Sequence, residues 1–308
     1  MRGRIMIGLA TALALVGIAV PASGAQALAP PPHIGADAVA AHLDRLQAIA
    51  DESGGNRAAG TEGYAQSADY VAETLTAVGF TVELQKCESC TEPDSNVIAD
   101  WPGGDESATI MFGAHLDSVE DGPGSNDNGS GSAALLQVAL TLAEAKPGML
   151  KHVRFGWWAD EEQGMNGSAY YVENSGVDDL EAYINLDMVG SPNPGYFLSH
   201  LDTPYGQAMA TYLESAGAPA EEKDGDCDCS DDQPFADAGV PTTYLDTGDE
   251  GIMTEDQADK WQGTAGEAFD PCYHEACDSY PDNIDTTALE NSANTTAQAL
   301  WTLAVTTD

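Results

Sequence analysis

Apolar positions recur at intervals of three and four over residues 37–50 and again over 63–78, the spacing that keeps one face of a helix dry. From residue 80 the pattern changes. Short apolar or alternating runs follow: "FTVELQ" (80–85), "SNVIADW" (95–101), "ATIMFGA" (108–114), "VRFGWWA" (153–159) and "YINLDMV" (183–189). Each is predicted as a strand. Between them, "GSGSAALLQVALTLAEA" (129–145) and "GSAYYVENSG" (167–176) return to helical spacing. Strands that alternate with helices, and are nearly continuously apolar in the later runs, predict an α/β fold: a central, mostly parallel mixed sheet with helices on both faces. No repeat or long linker divides the chain, so one globular domain is the simplest count. In such folds the ligand site lies beyond the carboxyl ends of the strands.

The amino-terminal segment stands apart. Arg2 and Arg4 precede an apolar run from Ile5 to Val20, followed by the small-residue signals Ala25-Gln26-Ala27 and Ala27-Leu28-Ala29. This predicts a secretory signal peptide over 1–29, cleaved near 27–29, with a mature domain over 30–308. The run is short for a spanning helix and no second one approaches ~20 residues, so a secreted, extracellular protein free of the membrane after cleavage is expected.

Acidic residues outnumber basic ones 51 to 10, which nearly excludes nucleic acid and anionic membranes as partners. The same imbalance would keep a protein soluble in concentrated salt, where screening removes self-repulsion. Six cysteines in an exported chain favour disulfides over structural zinc. Cys272 and Cys277 close a short loop and form the expected pair; Cys87, Cys90, Cys227 and Cys229 could pair locally or across.

The chemistry gathers at strand ends. "GAHLDS" carries His115 and Asp117, "WADEEQG" carries Glu161 and Glu162, and "INLDMVG" carries Asp187. Asp127 sits in the glycine-rich turn "GSNDNGSGSAA", and His274 in "DPCYHEACDS", a loop that Cys272 and Cys277 would close. Singly, each residue is ordinary: a helix cap, a turn residue, a solvated charge. Together they place two imidazoles and several carboxylates on one sheet edge, where they would repel or desolvate one another unless a cation neutralised them. Mixed nitrogen and oxygen donors suit Zn²⁺, and would also accept Co²⁺ or Mn²⁺.

On these motifs, and on "AHLDRLQAIADESGGNRAAGTEGYAQSADYVAETL", "INLDMVGSPNPGYF" and "GTAGEAFDPCYHEACDS", nearly the whole mature chain resembles the secreted bacterial double-zinc aminopeptidases of the leucine aminopeptidase and aminopeptidase S type. The resemblance implies that family's phosphorylase/hydrolase-like fold and a substrate of peptide or protein amino termini, handled by a monomer. It implies two Zn²⁺: one held by His115 and Asp187, the other by Glu162 and His274, with Asp127 bridging. Asp117 would fix the His115 tautomer. Glu161, adjacent to a ligand but pointing elsewhere, would be the general base, and Tyr273 would hydrogen-bond the tetrahedral intermediate. Only 86 residues separate Asp187 from His274, which leaves no room for the lid domain of the related carboxypeptidases. The rival reading is a non-catalytic acidic module that captures peptides or calcium, which would have no need of a base such as Glu161.

The chain departs from the family at its side-chain pocket. Cys229, Asp231 and Asp232 stand where relatives often carry an arginine and an Asp-His pair, and Asp246 replaces a pocket aromatic. With Met188 and Cys229 also on the substrate side, the loss of a cation and gain of carboxylates implies a preference for amino-terminal Lys or Arg. Some relatives bind calcium; the matching His33, Glu290 and Asn294 form a weaker oxygen set, and calcium is not expected.

Overall fold

The computed structural model describes residues 29–223 and 230–306. Of the leader expected over 1–29 all but Ala29 lies outside these residues, as do Cys227 and Cys229. Helices α1 (Ala36–Glu52) and α2 (Glu62–Val78) come first, followed by strands β1 (Thr81–Lys86), β2 (Ser95–Trp101) and β3 (Asp105–His115). Then come α3 (Gly131–Ala145), β4 (Lys151–Trp158), α4 (Asn166–Ser175) and β5 (Leu180–Leu186). The remainder supplies β6 (Phe197–Leu198), α5 (Pro204–Ala216), β7 (Glu221–Glu222), α6 (Asp232–Asp237), β8 (Thr242–Asp246), α7 (Glu255–Trp261) and α8 (Thr286–Ala304).

One eight-stranded sheet runs in the order β1-β2-β4-β3-β5-β8-β6-β7. Its centre is parallel, β4 on β3, β3 on β5 and β5 on β8, while β2 joins β4 and β6 joins β8 antiparallel. The sheet is mixed with a parallel heart, the arrangement expected from the alternating pattern.

Local chemistry sets the helix ends. The Thr61 side chain accepts from the Tyr64 amide to open α2, and Gly79, at φ 105°, closes it in the left-handed conformation that glycine adopts without cost. On one face of the sheet, Val39, Leu43, Leu46 and Ile49 of α1 pack with Ile110 and Phe112 of β3, Phe155 and Trp157 of β4, and α8. The opposite face is a smaller cluster around Trp158, Tyr171, Tyr183 and Phe235, covered by α4 and α6. Here the Tyr183 and Phe235 rings stack at 3.9 Å. Gly113 and Gly156 face each other in register across β3 and β4. A Cβ on Gly113 would meet the Tyr183 hydroxyl at 2.2 Å and Trp158 Nε1 at 2.6 Å. The two glycines therefore open the slot that Trp158 fills.

Cys272 and Cys277 form a disulfide, as expected, and Cys87 pairs locally with Cys90. No helix among the described residues is long and apolar enough to cross a membrane.

Candidate metal centre

The parallel strands deliver their ends to one place. His115 is the last residue of β3, Glu161 and Glu162 follow β4, Asp187 follows β5, and Asp127 lies in the turn over 125–130 ahead of α3, where its own backbone is kinked out of helical geometry (φ −104°, ψ 97°). His274 reaches the same point from the disulfide loop. Asp127 sits between the two imidazoles: its Oδ1 is 3.2 Å from His115 Nε2 and its Oδ2 is 3.1 Å from His274 Nε2. Asp187 Oδ1 completes the first side at 3.2 Å from His115 Nε2, and Glu162 Oε2 the second at 3.2 Å from His274 Nε2. Glu161 Oε2 stands further off, 3.9 Å from His115 Nε2.

Three of these donors are buried without a hydrogen-bond partner: His115 Nε2, Asp187 Oδ1 and Glu162 Oε1. Native interiors rarely leave such atoms unpaired. Burial pushes the Glu162 carboxyl up to about 7 and drives Glu161 well above the usual carboxylate range. Burial alone would lower His115, yet Asp187 and Glu161 hold it well above the ordinary histidine value. Unpaired donors that converge among mutually repelling carboxylates fit a bound cation, and two imidazoles with carboxylates suit zinc.

The supports are built into the backbone. Asp117 accepts from the Glu161 amide at 3.2 Å and the Glu162 amide at 3.3 Å, so it carries the turn that presents both glutamates. Its Oδ1 lies 3.5 Å from His115 Nδ1, which is nearer, at 3.2 Å, to the Asp117 backbone oxygen. Asp278, one residue past Cys277, accepts from the amides of Asn126 at 2.7 Å and Asp127 at 3.0 Å. The disulfide loop thus brings His274 and, through Asp278, fixes the Asp127 turn. A buried chain of donors ends on Asp187: Trp158 Nε1 donates to the Tyr183 hydroxyl, which donates to Asn185, which donates to Ser230, whose hydroxyl donates to Asp187 Oδ2 at 2.8 Å. Its other oxygen is left to face His115.

A cavity of about 310 Å³ opens onto this cluster, lined by Asp127, Glu161, Glu162, Asp187 and His274 together with Met188 and Tyr273. The Tyr273 ring stacks on His274 at 3.8 Å. Asp246 departs from its expected place. It is 2 % exposed, with Oδ2 2.6 Å from Lys223 Nζ and Oδ1 accepting from the Gly248 amide at 2.8 Å. The expected free carboxylate is therefore already neutralised, and the cavity is lined instead by Lys223, Tyr244 and Asp249. Asp231 and Asp232 are fully buried and do not line the cavity; Cys229 lies outside the described residues. Glu290 and Asn294 accept from the amides of Ala36 and Ile34, clipping the start of α1 to α8, with His33 Nε2 3.4 Å from Glu290.

Sequence reasoning did not single out Lys223, Tyr244, Asp249 or the buried Arg57. Arg57 donates to the carbonyls of Leu116, Pro123 and Gly124, bracing the loop between His115 and Asp127. The available signal was scarcity: Arg57 and Lys223 are isolated cations in a strongly acidic chain.

The chain is 48% identical over 305 residues to leupeptin-inactivating enzyme 1 of Streptomyces exfoliatus, covering 95% of this chain and 69% of that protein. It is 44% identical over 210 residues to an aminopeptidase of Pseudomonas aeruginosa, covering 63% of this chain and 38% of that one. The fold matches a zinc aminopeptidase from Bacillus subtilis with a TM-score of 0.71 at 18% identity, over 88% of this chain and 95% of the other. The family model for peptidase family M28 spans residues 96–300, from β2 to α8. That span contains every residue of the carboxylate and imidazole cluster, and the chain belongs to peptidase family M28.

Proposed function

We propose that this peptidase is a di-zinc aminopeptidase that releases the amino-terminal residue of peptides and proteins. The observation that carries the reading is the division of Asp127, one carboxylate oxygen toward each histidine, with a further carboxylate beside each. His115 and Asp187 would hold one ion, Glu162 and His274 the other, and Asp127 both. Zinc held there supplies Lewis acidity and lowers the pKa of water to near neutrality.

The remaining work falls to the protein's own side chains. Glu161 is close to the donors yet outside the shortest contacts, so it takes the proton from the attacking water and returns it to the departing amine. Tyr273 donates its hydroxyl to the oxygen that becomes negative in the tetrahedral state. Burial and the charge of Asp127 push its pKa up, so the phenol keeps that proton. The acidic lining of the cavity receives the free α-ammonium, and its volume accommodates one terminal side chain. A preference for Lys or Arg at that position rests on Asp249, the lining carboxylate left after Lys223 has neutralised Asp246. We further propose export, with cleavage near residues 27–29 leaving 30–308 as the catalytic domain; the two disulfides support an oxidising compartment.

The test is hydrolysis of Lys- and Leu-p-nitroanilide against their N-acetylated forms, with and without a chelator. Activity confined to the unblocked substrates and lost with the metal is expected. Equal cleavage of the blocked substrates would overturn the exopeptidase reading.

A further inference from the structure

Beside the active-site cavity lies a second, more open hollow of about 150 Å³, with Phe197 and Phe269 among its walls. Lys223 and Asp249 line both cavities, whereas Asp246 lines only the second. Lys223 follows β7 directly. Its amide donates to the Leu198 carbonyl, its ammonium lies 4.8 Å over the Tyr244 ring, and its side chain is 28% exposed. The ammonium thus stands between the reacting groups and a carboxylate that is itself almost wholly buried.

We propose that Lys223 is a specificity-determining plug: its ammonium occupies the seat against Asp246 that a basic amino-terminal side chain would otherwise take. A buried carboxylate must be paired, and the chain supplies the partner itself. A substrate cation is then left with Asp249, which is only partly buried and already accepts from the Gly251 amide. Removing the plug joins the two hollows and leaves Asp246 to be paired by a side chain long enough to cross, which Lys and Arg are and Leu is not. Removing the acid has the opposite effect: it frees the ammonium to meet an acidic side chain.

This inference rests on the aminopeptidase reading, and the experiment separates the two. Specificity constants for Lys-, Leu- and Glu-p-nitroanilide are measured for the wild type and for Lys223→Ala, Lys223→Arg and Asp246→Asn. Lys223→Ala should raise the Lys-to-Leu ratio by about tenfold or more, the scale of one pairing interaction in a shielded site. Asp246→Asn should lower that ratio and raise the Glu-to-Leu ratio, while Lys223→Arg keeps the wild-type order. Opposite shifts in the two isolated variants are not produced by a merely structural role. Unchanged ratios in both would overturn the plug while leaving the aminopeptidase reading intact. Absence of turnover in the metal-loaded wild type on every unblocked substrate would overturn both. If Lys223→Ala does not fold, the near-isosteric Asp246→Asn decides alone by the direction of its shift.

Discussion

At the scale of single residues, the neighbours Glu161 and Glu162 carry the sharpest expectations. Their amides share the Asp117 carboxylate, yet Glu162 lies 3.2 Å from one imidazole and Glu161 3.9 Å from the other. Glu161→Gln should keep its zinc content while kcat falls by at least ~100-fold, the usual scale for a lost general base. Glu162→Gln should lose metal, seen by elemental analysis after dialysis. Retained metal in the second variant and loss in the first would reverse the assignment. The motifs made these residues legible because ligand chemistry narrows the residue types to a few. Asp246 was misjudged for a complementary reason: a carboxylate's partner need not be near it in sequence, and Lys223 lies 23 positions away.

At the scale of elements, β2 and β4 are stitched by charge as well as by backbone. Asp100 stands opposite Arg154 in register and accepts from its Nε at 2.8 Å, with His152 Nε2 2.7 Å away. The hydrogen bond to Asp100 raises the His152 pKa above its ordinary value. A raised histidine contributes stability that is fully present below its unfolded pKa, ~6.5, and is lost as the pH rises through the folded value. Urea unfolding should show a fall in stability between pH 6 and pH 8.5 that is smaller in His152→Gln. An equal fall in the two proteins would remove His152 from the explanation. The facing glycines make a second test. Gly113→Ala forces a methyl onto the Tyr183 hydroxyl and Trp158, which should cost about 1–3 kcal/mol by overpacking; a wild-type denaturation midpoint would show that the slot is slack. The strands with strong apolar runs, β2 to β5, were legible within a few residues. The two-residue β6 and β7 were not, because such short strands exist only by pairing with β8 and with each other.

At the scale of the molecule, a formal charge of −41 sets the background. Five of the scarce cations, Arg57, Lys151, Arg154, Lys223 and Lys260, are already held by carbonyls or carboxylates. Most of the acidic surface therefore has no internal counter-charge, and the folded state repels itself. Molar NaCl shortens the screening length to ~3 Å. Relief of about 1 kcal/mol of repulsion would raise Tm by about 2–4 °C. A Tm indifferent to NaCl between 0.05 and 2 M would remove salt adaptation as the reason for this composition. The periodicity of apolar positions determined by itself the layered α/β architecture, because burial is the largest favourable term and its period is written in the chain. The donor types at the strand ends determined the class of chemistry. Tertiary structure alone decided which oxygen of Asp127 faces which histidine, that Asp278 holds the Asp127 turn, and that Lys223 neutralises Asp246. Those outcomes depend on distances of a few ångströms between segments far apart in sequence, and Coulomb energy and hydrogen bonding fall off over that same length.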